Sequence, residues 1–514
     1  MIDDLHRAHA LTAGYGFGFP IGVSCCSVAY SVKLTKSLLP ATVAGFAAVV
    51  SAQAADLPSK KAAPVEYVKV CPTYGPGFFY IPGTTTCLRV GGYVEFQGYG
   101  INKYTQANMG TSGTAGTKSV TDAVNSHATA RVFLDARDST EYGVLRTFAR
   151  IQWDRSSGSD DNSGSQPRRG QMFGGSGSYA NLQTGFYGSE AFIQLGGALF
   201  GRTTSSAWVG NPSTLFTTQG PSSGRVNQAA YTASLGNGIS VTAAIEDAAE
   251  LREGAFASTT GLAANSVNFL SPANSLPDAV ASIDVSQAWG TLKVAGVLHK
   301  VYVPKYASTG AFNGAMSDTG DSGQTGYAGM LGAKINLPMI AAGDYIYGYA
   351  AYAVGAMGRT LGNTATDTAN SAAPAAGAGG NASFGLGNAT WGGYDITNTA
   401  DGRGILSKSY SFGGEFKHYF APTVAVYVGG SFGAVDYGAG KKSASISGLA
   451  PHNANMWGTA LGLIWSPVSG LEINPEVAYR KSNITSDTGI TNGNKTGVKS
   501  DDQYIGRLRV ARSF

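Results

Sequence analysis

SHATARVFLDARDSTEYGVLRTFARIQWD, residues 126–154, reads as two runs of alternating character joined by a short polar turn. In the first run Arg131, Phe133, Asp135 and Arg137 share one face, and Val132, Leu134 and Ala136 share the other. In the second, Arg146, Phe148, Arg150, Gln152 and Asp154 oppose Leu145, Thr147, Ala149, Ile151 and Trp153. Side chains alternate across a strand, so the stretch predicts a β-hairpin with one wet and one apolar face. In a soluble fold the apolar face needs a second apolar layer. Nearly every later segment repeats the same pattern, and no helical pattern is available as a cover. A closed barrel in a membrane resolves this, with lipid outside and a water-filled lumen inside. Arginines on the lumen side point to a pore.

Composition agrees. Only 13% of the 514 residues are charged and 43% are hydrophobic, with 72 Gly, 26 Tyr and 22 Phe. That mixture suits many strands, tight turns and aromatic girdles at the membrane interfaces. A net charge of +4 with scattered Lys and Arg gives no case for nucleic acid.

Residues 1–31 fit nothing that follows and read as an upstream extension from a mis-assigned start. From Val32, Lys33 and Lys36 form a positive region, residues 38–50 a short apolar run, and Ala52-Gln53-Ala54 a cleavage motif. Residues 32–54 are therefore expected to be a secretory signal peptide cut between Ala54 and Ala55. The run is too short to span a bilayer. An exported chain meets an oxidising compartment, so Cys71 and Cys87 are expected to form a disulfide worth about 3 kcal/mol in a chain-entropy estimate. Two cysteines without a nearby His do not make a zinc site. Residues 55–87 read as a periplasmic segment preceding a barrel over 88–514.

The expected strands are 88–102, the two of the opening hairpin, 188–196, 198–204, 225–236, 238–250, 278–290 and 291–303. The rest are 324–337, 344–358, 407–421, 423–437, 454–466, 470–483 and 501–514. The total is about sixteen, an even number as such barrels require. Short connections carrying Gly, Pro, Asn and Asp alternate with long ones, the pattern of periplasmic turns and external loops. The longest connection, 359–406, reads as low-complexity surface; no helix follows its glycines, which argues against a phosphate cradle. The chain ends with Tyr504, Leu508, Val510, Arg512 and the terminal Phe514 on one face, as expected of a closing strand whose last ring sits at the interface.

Four segments, 68–100 with its cysteine pair, 130–154, 191–204 and the terminal RVARSF, together resemble the general porins of alphaproteobacteria, of the rhizobial and Brucella type. The resemblance covers residues 32–514. It implies an all-β, transmembrane antiparallel barrel of sixteen strands in the Gram-negative outer membrane, assembled as a homotrimer. It also implies passive diffusion of small hydrophilic solutes and ions, with no cofactor, and a third external loop, here 205–224, that folds inward to narrow the pore. Many relatives carry carboxylates there. This loop has no Asp or Glu, which argues against a cation-selective constriction.

Pores select by diameter and by rings of charge. The candidate pore-lining residues are Arg131, Asp135, Arg137, Arg146, Arg150, Asp154 and Arg202. A basic wall facing an uncharged loop predicts weak anion preference. The competing expectation is that these arginines pair with Asp135, Asp154 or Glu190 and only stiffen the wall. Trp153, Trp208, Trp289, Trp457 and Trp465 read as belt or packing residues. His418 falls outward beside Phe416, and His127, His299 and His452 are scattered rather than grouped for a metal. No nucleophile, base and orienter can be assembled, so the chain does not read as an enzyme. The alternatives are a substrate-specific channel, which needs ordered aromatic or arginine tracks, and a non-transporting adhesin or structural barrel.

Overall fold

The computed structural model describes residues 69–101, 105–109, 115–119, 124–157, 182–210, 221, 224–247, 251, 254–258, 267–270, 276–301, 323–361, 394–398, 404–438, 453–485, 490–492, 495–498 and 500–514. These belong to one compact unit, Glu66–Phe514. The segments expected to be an upstream extension (1–31) and a signal peptide (32–54), the cleavage expected between Ala54 and Ala55, and His452 lie outside the described residues.

Sixteen strands follow one another around the wall. They are β1 (Cys87–Ile101), β2 (Val124–Thr140), β3 (Gly143–Ser157), β4 (Leu182–Leu195), β5 (Ala198–Thr204), β6 (Arg225–Gly236), β7 (Ile239–Asp247) and β8 (Asp278–Gln287). Then come β9 (Gly290–Val301), β10 (Gln324–Asn336), β11 (Tyr345–Val354), β12 (Lys408–Ala421), β13 (Val424–Asp436), β14 (Ala454–Trp465), β15 (Leu471–Ile484) and β16 (Ser500–Ser513). Each pairs antiparallel with its chain neighbours, and β16 pairs back onto β1, from Tyr93 opposite Ser513 to Ile101 opposite Ile505. Closure removes both sheet edges, so every strand is hydrogen-bonded on both sides, the condition for crossing hydrocarbon. The terminal residue completes the seam: Phe514 N–H donates to the Gly92 carbonyl at 3.0 Å, and Gly92 N–H to the Phe514 carbonyl at 3.1 Å.

The faces follow the alternation read from the sequence. Val132, Leu134, Ile151 and Trp153 are exposed on the outside, while Asp135, Gln152 and Asp154 are buried inside. On β1, Val90, Val94 and Phe96 face out and Glu95 and Gln97 are buried inward. Exposed aromatics gather at the two strand ends, the expected interfacial belts. Tyr142, Trp289, Phe420, Trp465 and Phe514 lie near the short turns. Trp153, Phe186, Tyr327, Tyr352, Tyr410, Trp457 and Tyr504 lie near the long connections, where Trp457, Tyr479 and Tyr504 form a chain of ring contacts at 5.3 and 4.9 Å.

Where it is described, the N-terminal segment packs against the start of β1. Cys71 and Cys87 form a disulfide with Cα atoms 5.9 Å apart. Phe79–Tyr80 pairs with Cys87 and Leu88 at the start of β1, and Phe78 is buried with both cysteines. The Arg137 guanidinium lies 4.9 Å over the Phe78 ring, so this small disulfide-closed unit sits on the inner wall at the short-turn end.

Two expectations need correction. β3 runs on to Ser157 and β4 begins at Leu182, shortening the connection expected over 155–187. More important, the expected surface loop 359–406 is buried in two of its described stretches. Arg359, Thr360, Leu361, Asp395 and Ile396 are all out of solvent. Its Ala- and Gly-rich composition hid a few large or charged side chains that find partners inside. Tyr394–Asn398 of this loop also pairs with Gly254–Ser258 of the loop after β7, within a four-stranded sheet separate from the barrel sheet.

Candidate functional site

The inner wall of β1 to β6 carries a guanidinium array arranged in levels. Nearest the short turns, Arg137 and Arg146 lie opposite each other in register. Both reach the buried carboxylate of Asp135, Arg137 at 3.0 and 2.7 Å and Arg146 at 2.9 and 3.0 Å. Arg146 also lies 5.2 Å from the rings of Phe148 and Phe192. These rings continue a stacked run with Phe133, at 5.7 and 5.2 Å between centroids.

Near mid-height a β-bulge decides the geometry. Arg150 pairs with Glu190 but Ile151 with Gly188, leaving Ser189 as the extra residue. A bulge breaks the strict two-residue alternation. Consequently Ser189 and Glu190, though adjacent, both receive Arg150, at 2.8 and 2.6 Å. Glu190 is shared with Arg225 of β6 at 2.8 Å. Arg202 stands in the same region of the wall, opposite Ala191 and Asn227. Arg131 bonds Gln152 at 2.7 Å and lies 4.6 Å over the Tyr93 ring.

Further toward the long connections, Asp154 accepts from Thr129 at 2.6 Å and from Gln152 at 2.8 Å. His127 Nε2 is 3.4 Å away. Around the seam, Arg509 donates to Glu95 at 2.6 Å, and Arg507 joins Asn474 and Glu476.

Arg131, Asp135, Arg137, Arg146, Arg150 and Asp154 thus share one side of the lumen but not one ring, whereas Arg202 has the parity of the exposed Phe200 and lies opposite Ala191 and Asn227, both exposed, so the alternation does not carry it to the lumen face. Asp135 and Glu190 are each held between two arginines. Pairing is therefore real, yet each trio keeps one net positive charge. Such fixed guanidiniums over aromatic faces and carboxylates are preorganised, and the low-dielectric walls around them focus their field on the lumen. Sequence reasoning missed Arg225, Arg507 and Arg509. Inward parity was the available signal for Arg507 and Arg509, whereas Arg225 has the parity of the exposed Asn227 and Tyr231 and reaches Glu190 from the start of its strand.

The opposite wall is different. Ala207 and Val209, on the described start of the connection after β5, pack on Ala244, Val280, Ala295, Ala328, Met330 and Tyr347. The Tyr347 hydroxyl donates to the Val209 carbonyl at 3.2 Å. These wall residues are inward-facing, so residues 205–210 lie inside the barrel. Their small and aliphatic character explains the fit: a chain segment can be buried there without stranding charge. Residues 211–220, the middle of this connection, are outside the described residues.

A buried ionic knot secures the base of that segment. Ser205 Oγ donates to Glu246 at 2.8 Å, and Ser206 N–H does so at 2.7 Å. Arg359 donates to Ser205 Oγ at 2.7 Å, Glu246 at 3.0 Å and Asp278 at 2.8 Å. His299 sits 2.7 Å from Asp278 and 3.6 Å from Asp395. His418, on the outer face as expected, pairs instead with Asp344 at 2.6 Å, beside Phe416 and Phe420. Trp153, Trp289, Trp457 and Trp465 are exposed on the outer face, while Trp208 belongs to the inward segment.

A family model described as "Porin subfamily" matches residues 56–506. The chain is 31% identical over 269 residues to Porin Omp2b of Brucella suis biovar 1 (strain 1330) and of Brucella abortus (strain 2308), an alignment covering 51% of this chain. It spans 65% of the length of these curated relatives. Among solved structures, the outer membrane channel DcaP of Acinetobacter baumannii is similar with a TM-score of 0.54 and 17% identity, covering 85% of this chain and 99% of that one. That likeness concerns the fold alone.

Proposed function

The chain belongs to the Porin subfamily, whose barrels lie in the Gram-negative outer membrane, and from that premise we propose that it forms a water-filled channel for passive diffusion of small hydrophilic solutes and ions. The observation that carries this is the closed sixteen-strand wall, apolar outside and lined inside by Arg, Asp, Glu, Gln and Thr. Lipid contacts the outer face. The working assembly is a homotrimer, a reading that rests on family resemblance.

Arg131, Arg137, Arg146 and Arg150, offset in part by Asp135 and Asp154, line the conducting path. The connection after β5 narrows it from the opposite side. Two arginines on each of Asp135 and Glu190 give this wall an excess of positive charge, so the channel prefers anions weakly. Purified protein in a planar bilayer tests both parts. Stepwise conductance with a reversal potential on the anion side in dilute KCl supports the proposal. Silent bilayers would sink the channel, and clear cation preference would reverse the sign of selectivity.

One observation favours a second reading, a substrate-specific channel. Phe133, Phe148 and Phe192 form the ordered aromatic track that such a channel needs, with Arg146 laid across it. Saturable block of ion current by one solute class would select it.

A further inference from the structure

The segment after β11 turns back into the barrel instead of leaving it. Gly355 N–H donates to the Ser407 carbonyl at 2.8 Å. The chain then descends along the inner face of β12, where Thr360 bonds Ser409 at 2.6 Å and Ser411 Oγ donates to the Thr360 carbonyl at 2.5 Å. Met357 is fully buried, with its N–H on Asp395 at 2.7 Å. Gly358 lies against the Leu251 backbone, where an added Cβ would come within 2.3 Å of the carbonyl oxygen.

Arg359 is the residue that turns this packing into a span. Its neighbour Thr360 is held on β12. Its own guanidinium is held on β7 through Glu246, on β8 through Asp278, and on Ser205 just after β5. From β5 to β12 is seven strands around a wall of sixteen, close to half the circumference. One buried side chain therefore ties together the two segments that enter the lumen, 205–210 and 355–361. Burial matters here. A guanidinium out of water between two buried carboxylates is stable only while all three stay together, because removing one partner strands the others.

We infer that residues 355–361 form a second narrowing element at the long-connection end of the channel, and that Arg359 is the positioning residue that holds it across the lumen. This goes beyond the narrowing expected from the connection after β5, and it rests on the channel reading above. It assigns to the longest connection a role in setting pore size.

The test uses the full-length protein in two independent assays. In planar bilayers, Arg359→Ala is expected to raise single-channel conductance and move the reversal potential toward cations, since Glu246 and Asp278 lose their shared guanidinium. Arg359→Lys should restore part of both. In detergent, Thr360→Cys is probed with a bulky water-soluble maleimide, against protein lacking that cysteine as background. Thr360 has no exposed surface, so labelling is slow with Arg359 in place and rises at least about tenfold with Arg359→Ala, because losing one member of a buried ionic cluster opens it locally. The labelling assay needs no current, so a silent wild-type channel would refute the channel reading without blocking this test. Conductance, selectivity and labelling all unchanged in Arg359→Ala would overturn the inference. Rapid labelling of Thr360→Cys with Arg359 intact would do so too.

Discussion

Single carboxylates decide the character of the inner wall. Glu190 accepts from Arg150 and Arg225 at once, so Glu190→Gln leaves two guanidiniums facing the lumen without their shared anion. The variant is expected to shift the bilayer reversal potential further toward anions than wild type. The increment should shrink in about 1 M KCl, where the Debye length is about 3 Å. An unchanged reversal potential would mean that Glu190 does not act on the conducting path. Asp344, at the end of a short turn, makes a different prediction. Burial opposes its ionisation, but the His418 ring and the Tyr419 N–H outweigh that and hold its carboxyl below its ordinary value. A depressed carboxylate contributes stability that is present above the ordinary value of 3.8 and disappears as pH falls through the lower native value. Wild type should therefore resist urea better than Asp344→Asn at neutral pH, and the gap should close in strong acid. A gap independent of pH would assign the contribution to packing.

Turns and bulges mark what alternation alone could and could not reveal. The turn between β6 and β7 places Asn237 at φ 50° and Gly238 at φ 72°, the two left-handed positions of a type I′ hairpin. A Cβ at Gly238 would stand 1.9 Å from the Ser286 carbonyl oxygen on the neighbouring β8. Gly238→Ala should thus cost about 1–3 kcal/mol through backbone strain and a forced local shift, read as a lower urea midpoint for the folded barrel. An unchanged midpoint would show that the turn can rearrange. Such turns were legible because Asn, Gly and Pro punctuate runs of period two. The same periodicity placed Arg131, Asp135, Arg137, Arg146, Arg150 and Asp154 on the lumen side. It failed where the period itself fails. The bulge opposite Arg150 sends Ser189 and Glu190 to the same guanidinium, and no pattern in the residues announces it. Arg359 was hidden for another reason. Its partners Ser205, Glu246 and Asp278 come from three other parts of the chain, and only closure of the barrel brings them together.

For the molecule as a whole, one physical asymmetry organises every strand: the outer surface must suit hydrocarbon and the inner surface water. Leu461 and Gln194 state it at two points. Leu461 is exposed near the middle of β14, opposite Val428 and Val477 on its outer face. Gln194 follows the inward Phe192 on β4 and bonds the Gly196 carbonyl at 3.1 Å. An arginine at the bilayer midplane of a barrel's lipid face costs about 2–4 kcal/mol, whereas lumen positions tune selectivity at little cost. Leu461→Arg should therefore lower the urea midpoint of the protein refolded in lipid while leaving the selectivity of folded channels unchanged. Gln194→Arg should leave the midpoint within error and strengthen anion preference. The two variants add the same charge and the same side chain, so a difference between them reports the face and the depth at which it stands. Equal destabilisation by both would mean that the inner face is as dry as the outer one, and the water-filled channel would fall with it.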